Sequence, residues 1–394
     1  MKLWLCNMNN KSNLLITLLI TICLGTIFYW VFSSFTNQPT TREVKTRFFE
    51  LSDLLSRASV SNDNAFQKAL NPKAFSFPQD HLAHPDFRSE WWYFTGHLSD
   101  PQSPQKTFGY QFTLFRQAVT PPQVKTSPWS TPQLYMAHFA ITNIEQNSHR
   151  ATEKFSREGP GLAGTSLKPL SLWIENWRLQ SVQPDSLFPL RLITTDNTHK
   201  ISLDLMLAPE KTFILQGNEG LSKKSFEPGN ASYYYSYTRL GTSGSVKWDD
   251  TKTPVEGRSW FDHEWSTSAL NSNQQGWDWF SLQLENGYDL MYFRIRSTHK
   301  ESATQAITLI DPKGNKIPVD TSNIALTELS HWVSPNGKQY PAKWLFELPK
   351  HQIKLTLTPK VADQEMRLSV NYWEGAVNVE GSHRGLGYVE LTGY

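Results

Sequence analysis

The chain repeats itself. A series of strand-like segments occurs twice in the same order, and this restricts the fold more than any single motif. WWYFTGHL from Trp91 returns as WDWFSLQL from Trp277, and GYQFTLFR (109–116) returns as GYDLMYFR (287–294). Ala140-Ile141-Thr142 recurs as Ala306-Ile307-Thr308, ISLDLMLAP from Ile201 as IKLTLTP from Ile353, and Tyr235 has a counterpart in Tyr372. The separation shrinks steadily, from 186 residues between Trp91 and Trp277 to 137 between Tyr235 and Tyr372. Ordered matches with shortening loops mark a duplicated domain. Within each copy apolar and polar residues alternate between clusters of Gly, Pro, Asn and Asp, the signature of antiparallel strands and turns. No long helical pattern intervenes. The expected fold class is all-β: two tandem antiparallel β-barrels, residues 77–245 and 246–394, each able to enclose side chains or one small ligand.

Upstream, residues 12–41 contain no Lys, Arg, His, Asp or Glu. As a helix, Leu14 to Phe32 spans about 28 Å, close to the thickness of a bilayer core. Lys2 and Lys11 precede it, and Phe28, Tyr29, Trp30 and Phe32 close it like an interfacial belt. Residues 1–41 are therefore expected to form a transmembrane helix that holds the bulk on the periplasmic side. The alternative is a cleaved signal peptide and a secreted product, although no small-x-small site follows the apolar run. Residues 42–76 read as a spacer in which FFELSDLL and AFQKAL carry apolar residues at helical spacing. Cys6 and Cys23 both lie in the first segment, so no disulfide or thiol-based metal site is expected beyond it. A net charge of +2 with no basic block leaves no electrostatic footprint for nucleic acid.

Aromatic residues make up 13% of the chain, enough to build a core or line a cavity, and two polar clusters sit among them. GRSWFDHEWS holds Asp262, His263, Glu264 and Trp265, and GWDWF follows with Trp277, Asp278 and Trp279. HPDFRSEWWYFTGHL sets His84, Asp86, Arg88, Glu90 and His97 around Trp91, Trp92 and Tyr93. A carboxylic acid walled by tryptophan is desolvated, which raises its pKa and lets it donate a proton near neutral pH. Aromatic faces stabilise a carbocation formed by protonating a carbon–carbon double bond. His263, next to Asp262, is the expected acceptor of a proton from water.

Asp262, His263, Glu264 and Asp278 are thus the candidate catalytic residues for hydration, isomerisation or cyclisation of an apolar unsaturated molecule, without metal or organic cofactor. Glu90, Trp91, Trp92, Tyr93, His138, Tyr235, Trp265, Trp277 and Trp279 are the expected ligand contacts, in a cavity lined from both halves. A second reading stands beside this one: acids and histidines inside a barrel also form satisfied hydrogen-bond networks, closed here by Arg258 or Arg294. Arg116 and Arg294, which end matching strands, read as structural partners of Glu90 and Asp278, and His84, His97 and His138 taken singly read as structural. No second His follows His263 by four residues, and neither GTSGS at Gly241 nor GSHRG at Gly381 has G-x-S-x-G spacing. The motifs speak against a zinc or serine hydrolase.

From FPQDH (77–81) to the C-terminal GLGYVELTGY, the chain resembles the AttH / carotenoid 1,2-hydratase (CrtC)-like family of lipocalin-like proteins. The blocks that carry the resemblance are HPDFRSEWWYFTGHL, QFTLFRQ, LYMAHFAIT, YYYSYTRL, SWFDHEWS, GWDWFSLQLENG, DQE and YWEGAV. The resemblance implies a pair of lipocalin-like (calycin-like) barrels and an exported protein that accommodates a lipophilic molecule, often beside an ABC transporter permease. The hydratase relatives add water to a terminal double bond of acyclic carotenoids, using an acid and a histidine in the second half, which points to Asp262-His263. DHEW and GWDWF look closer to the AttH-like branch. There the alternative to a hydro-lyase is a non-catalytic lipid-binding accessory of an exporter.

Overall fold

The computed structural model describes residues 49–50, 65–121, 127, 132–184, 186–267, 270, 273–298 and 304–394. The expected membrane helix or signal, 1–41, lies outside them. Chain contacts separate Met1–Arg47 from Phe48–Tyr394, and the second unit holds the fold. Among the described residues no helix is long and apolar enough to cross a membrane.

A two-residue strand, β1 (Phe49–Glu50), comes first. The first copy runs through β2 (Ser89–Asp100), β3 (Ser103–Ala118), β4 (Gln133–Asn143), β5 (Ser148–Arg157), β6 (Ala163–Leu167) and β7 (Leu170–Ile174). It continues through β8 (Trp177–Ser181), β9 (Leu190–Asp196), β10 (Ile201–Pro209), β11 (Ile214–Leu215) and β12 (Leu221–Lys223). Two long strands, β13 (Ala231–Trp248) and β14 (Thr251–Ser266), complete it. The second copy begins with β15 (Gln274–Leu284), β16 (Asp289–Ser297), β17 (Thr304–Ile310), β18 (Lys316–Ile317) and β19 (Ala325–Val333). It ends with β20 (Gln339–Leu348), β21 (Ile353–Pro359), β22 (Glu365–Arg367), β23 (Val370–Gly381) and β24 (Gly385–Leu391).

The first sheet is ordered β5-β4-β3-β2-β14-β13-β10-β9-β8-β7-β6, the second β18-β17-β16-β15-β24-β23-β21-β20-β19. Laid side by side, β15 to β18 take the places of β2 to β5, β24 that of β14, and β23, β21 and β20 those of β13, β10 and β9. The repetition in the sequence is a repetition of topology. The first sheet is a nearly closed barrel, with β7 packing against β4 and β5, and the second is a half-barrel. Among the described residues nothing in the second sheet corresponds to β6 and β7, part of the loss that the shrinking separation records.

Two expectations change. The boundary at 245/246 falls inside β13, and both β13 and β14 pair within the first sheet, so the change of sheet comes between Ser266 and Gln274. A strand belongs to the sheet it hydrogen-bonds, whatever turn-forming residues interrupt it. AFQKAL is not α-helical either; Phe66 and Ala69 are simply buried against the body from a segment without regular structure.

Strand alternation sorts side chains into three layers. Trp92, Phe94, Phe112, Leu114, Phe139, Leu205, Phe261 and Trp265 belong to one core inside the first sheet. Phe280, Leu282, Tyr292, Trp344, Phe346 and Trp373 fill the second. The opposite faces meet in a third cluster that includes Tyr93, Tyr234, Trp260, Trp279, Met291, Phe293 and Tyr388. Asp289 of β16 clamps the sheets together, accepting from Lys211 Nζ at 2.7 Å, Arg239 Nη2 at 2.6 Å and Thr238 Oγ1 at 2.9 Å.

Candidate functional site between the sheets

A cavity opens in this third layer. Trp91, Tyr93, Thr113, Phe115, Tyr234, Asp262, Glu264 and Ser266 form the wall from the first sheet, with Lys224 beside them. Trp277, Trp279, Phe293, Ile295, Tyr372 and Glu390 form the wall from the second, and Leu270 comes from the connection. A ligand site lined from both halves was the expectation; its place between the sheets, rather than inside a barrel, was not.

The pleat divides the candidate residues. In β14 the even positions Asp262, Glu264 and Ser266 line the cavity, whereas Phe261 and Trp265 join the core inside the first sheet. His263 follows the inward set. It stacks on Trp92 with ring centroids 4.7 Å apart, and its Nε2 donates to Glu90 Oε1 at 2.8 Å. The expected Asp262–His263 acid–base pair therefore does not form, because neighbours on a strand point to opposite faces.

Asp262 is buried under three donors: Tyr234 Oη at 2.7 Å, Ser236 Oγ at 2.5 Å and Trp260 Nε1 at 2.7 Å. Burial pushes its carboxyl up to about 7; the three hydrogen bonds pull against that, and the charge of Glu264 adds to it. Glu264 pairs with Lys224 Nζ at 2.6 Å and accepts from Ser232. On the facing wall Glu390 accepts from Trp277 Nε1 at 2.9 Å, and burial pushes it up to about 8. Its cross-strand neighbour Glu374 is raised well above the usual carboxylate range by burial and by Glu390.

The remaining expected contacts form a second network, inside the first sheet. Glu90 accepts from Arg116 Nε at 2.7 Å, His84 Nδ1 at 2.6 Å and His263 Nε2 at 2.8 Å. Burial alone would raise Glu90, but Arg116 and His84 outweigh it and hold the carboxyl well below its usual range. The Tyr235 hydroxyl lies between His263 Nδ1 at 3.1 Å and His81 Nδ1 at 2.7 Å, and His84 stacks on Trp265 at 3.8 Å. His84, Glu90 and His263 bring potential ligand atoms within 4.8 Å of one another, yet these atoms already bond to each other. Burial keeps His263 neutral, down to about 4 despite Glu90. This is the satisfied network of the second reading.

Asp278 is also turned away from the cavity, held by Arg294 Nε at 2.5 Å, Arg296 Nε at 3.1 Å and Tyr394 Oη at 2.8 Å. The pairing of Arg116 with Glu90 and of Arg294 with Asp278 is as the sequence led us to expect. Arg258 instead pairs at the surface with Glu210. His138 stands behind the wall, its Nδ1 2.8 Å from Tyr372 Oη, and burial brings it down to about 3. Tyr235 and Tyr372, matched in the sequence, face opposite ways, since a one-residue slip changes the face.

Sequence reasoning missed Tyr234, Tyr372, Glu374, Glu390 and Lys224. Period-two alternation across YYYSY, YWEGAV and GYVEL was the available signal.

Two homologous sheets packed across an acid-lined aromatic cavity define a class of duplicated β-proteins. The chain belongs to the AttH-like family, whose model matches residues 68–394. The crystal structure of an AttH candidate from Nitrosomonas europaea is 31% identical, with TM-score 0.73, covering 84% of this chain and all of that one. Kievitone hydratase from Nectria haematococca shares the fold at 15% identity and TM-score 0.60, covering 83% of this chain and 98% of its own. CghA with Sch210972 shares it at 12% identity and TM-score 0.50, covering 84% and 98%. Among curated proteins none matches.

Proposed function

We propose that this protein binds a lipophilic unsaturated molecule between its sheets and hydrates or isomerises it by proton transfer. Asp262 carries the reading: a buried carboxyl at about 7, in a cavity walled by tryptophan, tyrosine and phenylalanine. Such a group is half protonated at neutral pH and can give or take a proton. The faces of Trp91, Trp277 and Trp279 offer a surface for transient positive charge. The hydratase among the fold neighbours supports hydration as the reaction class. This reading takes the nearly closed barrel and the half-barrel as a lipocalin-like pair. It keeps residues 1–41 as a membrane anchor, with the body in the periplasm and an ABC-type permease as partner.

The test uses Nile red as an apolar probe and a panel of acyclic isoprenoid alkenes as substrates. Asp262→Asn is expected to bind Nile red within about twofold of wild type and to lose turnover by about 100-fold or more. Probe binding without turnover by the wild type would make the protein a carrier. Parallel loss of binding and stability in the variant would make Asp262 structural.

A further inference from the structure

Glu374 and Glu390 are directly opposed on β23 and β24; Glu374 is buried and Glu390 half-buried. Among the described residues one hydrogen bond of good geometry reaches the pair, from Trp277 to Glu390, while the Tyr93 and Tyr372 hydroxyls neighbour Glu374. Neither oxygen of Glu374 has a hydrogen-bond partner of good geometry, and the buried Tyr93 hydroxyl that neighbours it has none either. No salt bridge to either glutamate is found among the described residues. The duplication supplies the contrast. Asp262 is registered against Tyr93 across β14 and β2, as Glu390 is against Trp279, the match of Tyr93, across β24 and β15. Across its other edge Asp262 meets Ser236, which donates to it, whereas Glu390 meets a second acid. Two opposed carboxyls without a cation, one of them buried, repel each other when both are ionised, so the pair retains a proton. Asp262, under three donors, is built to carry negative charge.

We propose that Glu390, backed by Glu374, is the proton donor of the cavity and Asp262 its base, an assignment that rests on the function proposed above. The O–H bond of the Glu390 carboxyl breaks, and its proton forms a C–H bond with one alkene carbon using the π electron pair, which leaves positive charge on the other carbon. The oxygen of a water molecule bonds to that carbon, and the proton it sheds passes to the Asp262 carboxylate. Glu390 ends ionised and Asp262 protonated; one water is consumed, and a proton returns from Asp262 to Glu390 through solvent. Burial raises both carboxyls toward neutral pH, where each can exchange its proton.

Infrared titration of the full chain follows protonated carboxyls directly, with Nile red binding and alkene turnover measured on the same samples. The expected result is a protonated-carboxyl band lost near pH 8 in wild type and in Asp262→Asn, and absent from Glu390→Gln. Glu390→Gln should also lose turnover by about 100-fold or more while binding Nile red within about twofold. Glu374→Gln should move the descending limb of the pH–rate profile to lower pH, since a repelling neighbour is gone. A band near pH 8 that survives in Glu390→Gln overturns the proposal. So does a Glu390→Gln variant as reactive as a reactive wild type, which removes the donor role alone. A wild type that shows the band but converts no alkene overturns the function itself, and the donor role with it.

Discussion

Asp262 and His263 are covalent neighbours whose protons are governed by different surroundings. Asp262 faces the cavity and is raised to about 7, mainly by burial. Folded protein therefore keeps a proton that the unfolded chain loses near pH 4, so this group's contribution to stability falls as pH rises. The fall amounts to about 1.4 kcal/mol per pH unit until the folded pKa is passed. Urea melts of wild type and Asp262→Asn should show their stability difference declining between about pH 4 and about pH 7 and level above it; a flat difference would exclude the raised pKa. Glu90 and Arg116 form a fully buried pair. Arg116→Ala leaves the carboxylate without its guanidinium and should cost about 3–5 kcal/mol, read as a lower Tm and denaturation midpoint.

At the scale of the strand, β14 presents acids to one face and His263 with Trp265 to the other. His263→Ala is expected to lose about 1–3 kcal/mol of stability, because Glu90 and Tyr235 each lose a hydrogen-bond partner, while Nile red affinity stays within about twofold. A large loss of probe binding at unchanged Tm would place the histidine in the cavity after all. The strand patterns and the arginine–carboxylate pairs were legible in the sequence, because both follow from local alternation and from recurrence at matching positions. The face of each candidate was not. WDWF and DHEW look like single clusters as text, but a period of two splits each between a cavity and a core. Glu374 and Glu390 drew no attention because the residues that make them unusual lie on other strands.

For the whole molecule, the two sheets act together because Asp289 gathers Lys211, Thr238 and Arg239 across their junction. Asp289→Ala buries two cations without a counter-charge and should cost about 3–5 kcal/mol. Calorimetry is expected to show one transition for wild type and a broadened or divided one for the variant; an unchanged single transition would mean that the clamp does not couple the sheets. Period-two patterning and ordered repetition, which are local properties of a chain, were enough by themselves to determine an all-β duplicated fold and its aromatic, acidic character. How far each sheet closes, where one passes to the other, and which acids share a space were decided only in three dimensions. Hydrogen-bond partners distant in sequence set the curvature and register of a sheet, and desolvation of a carboxyl depends on everything packed around it.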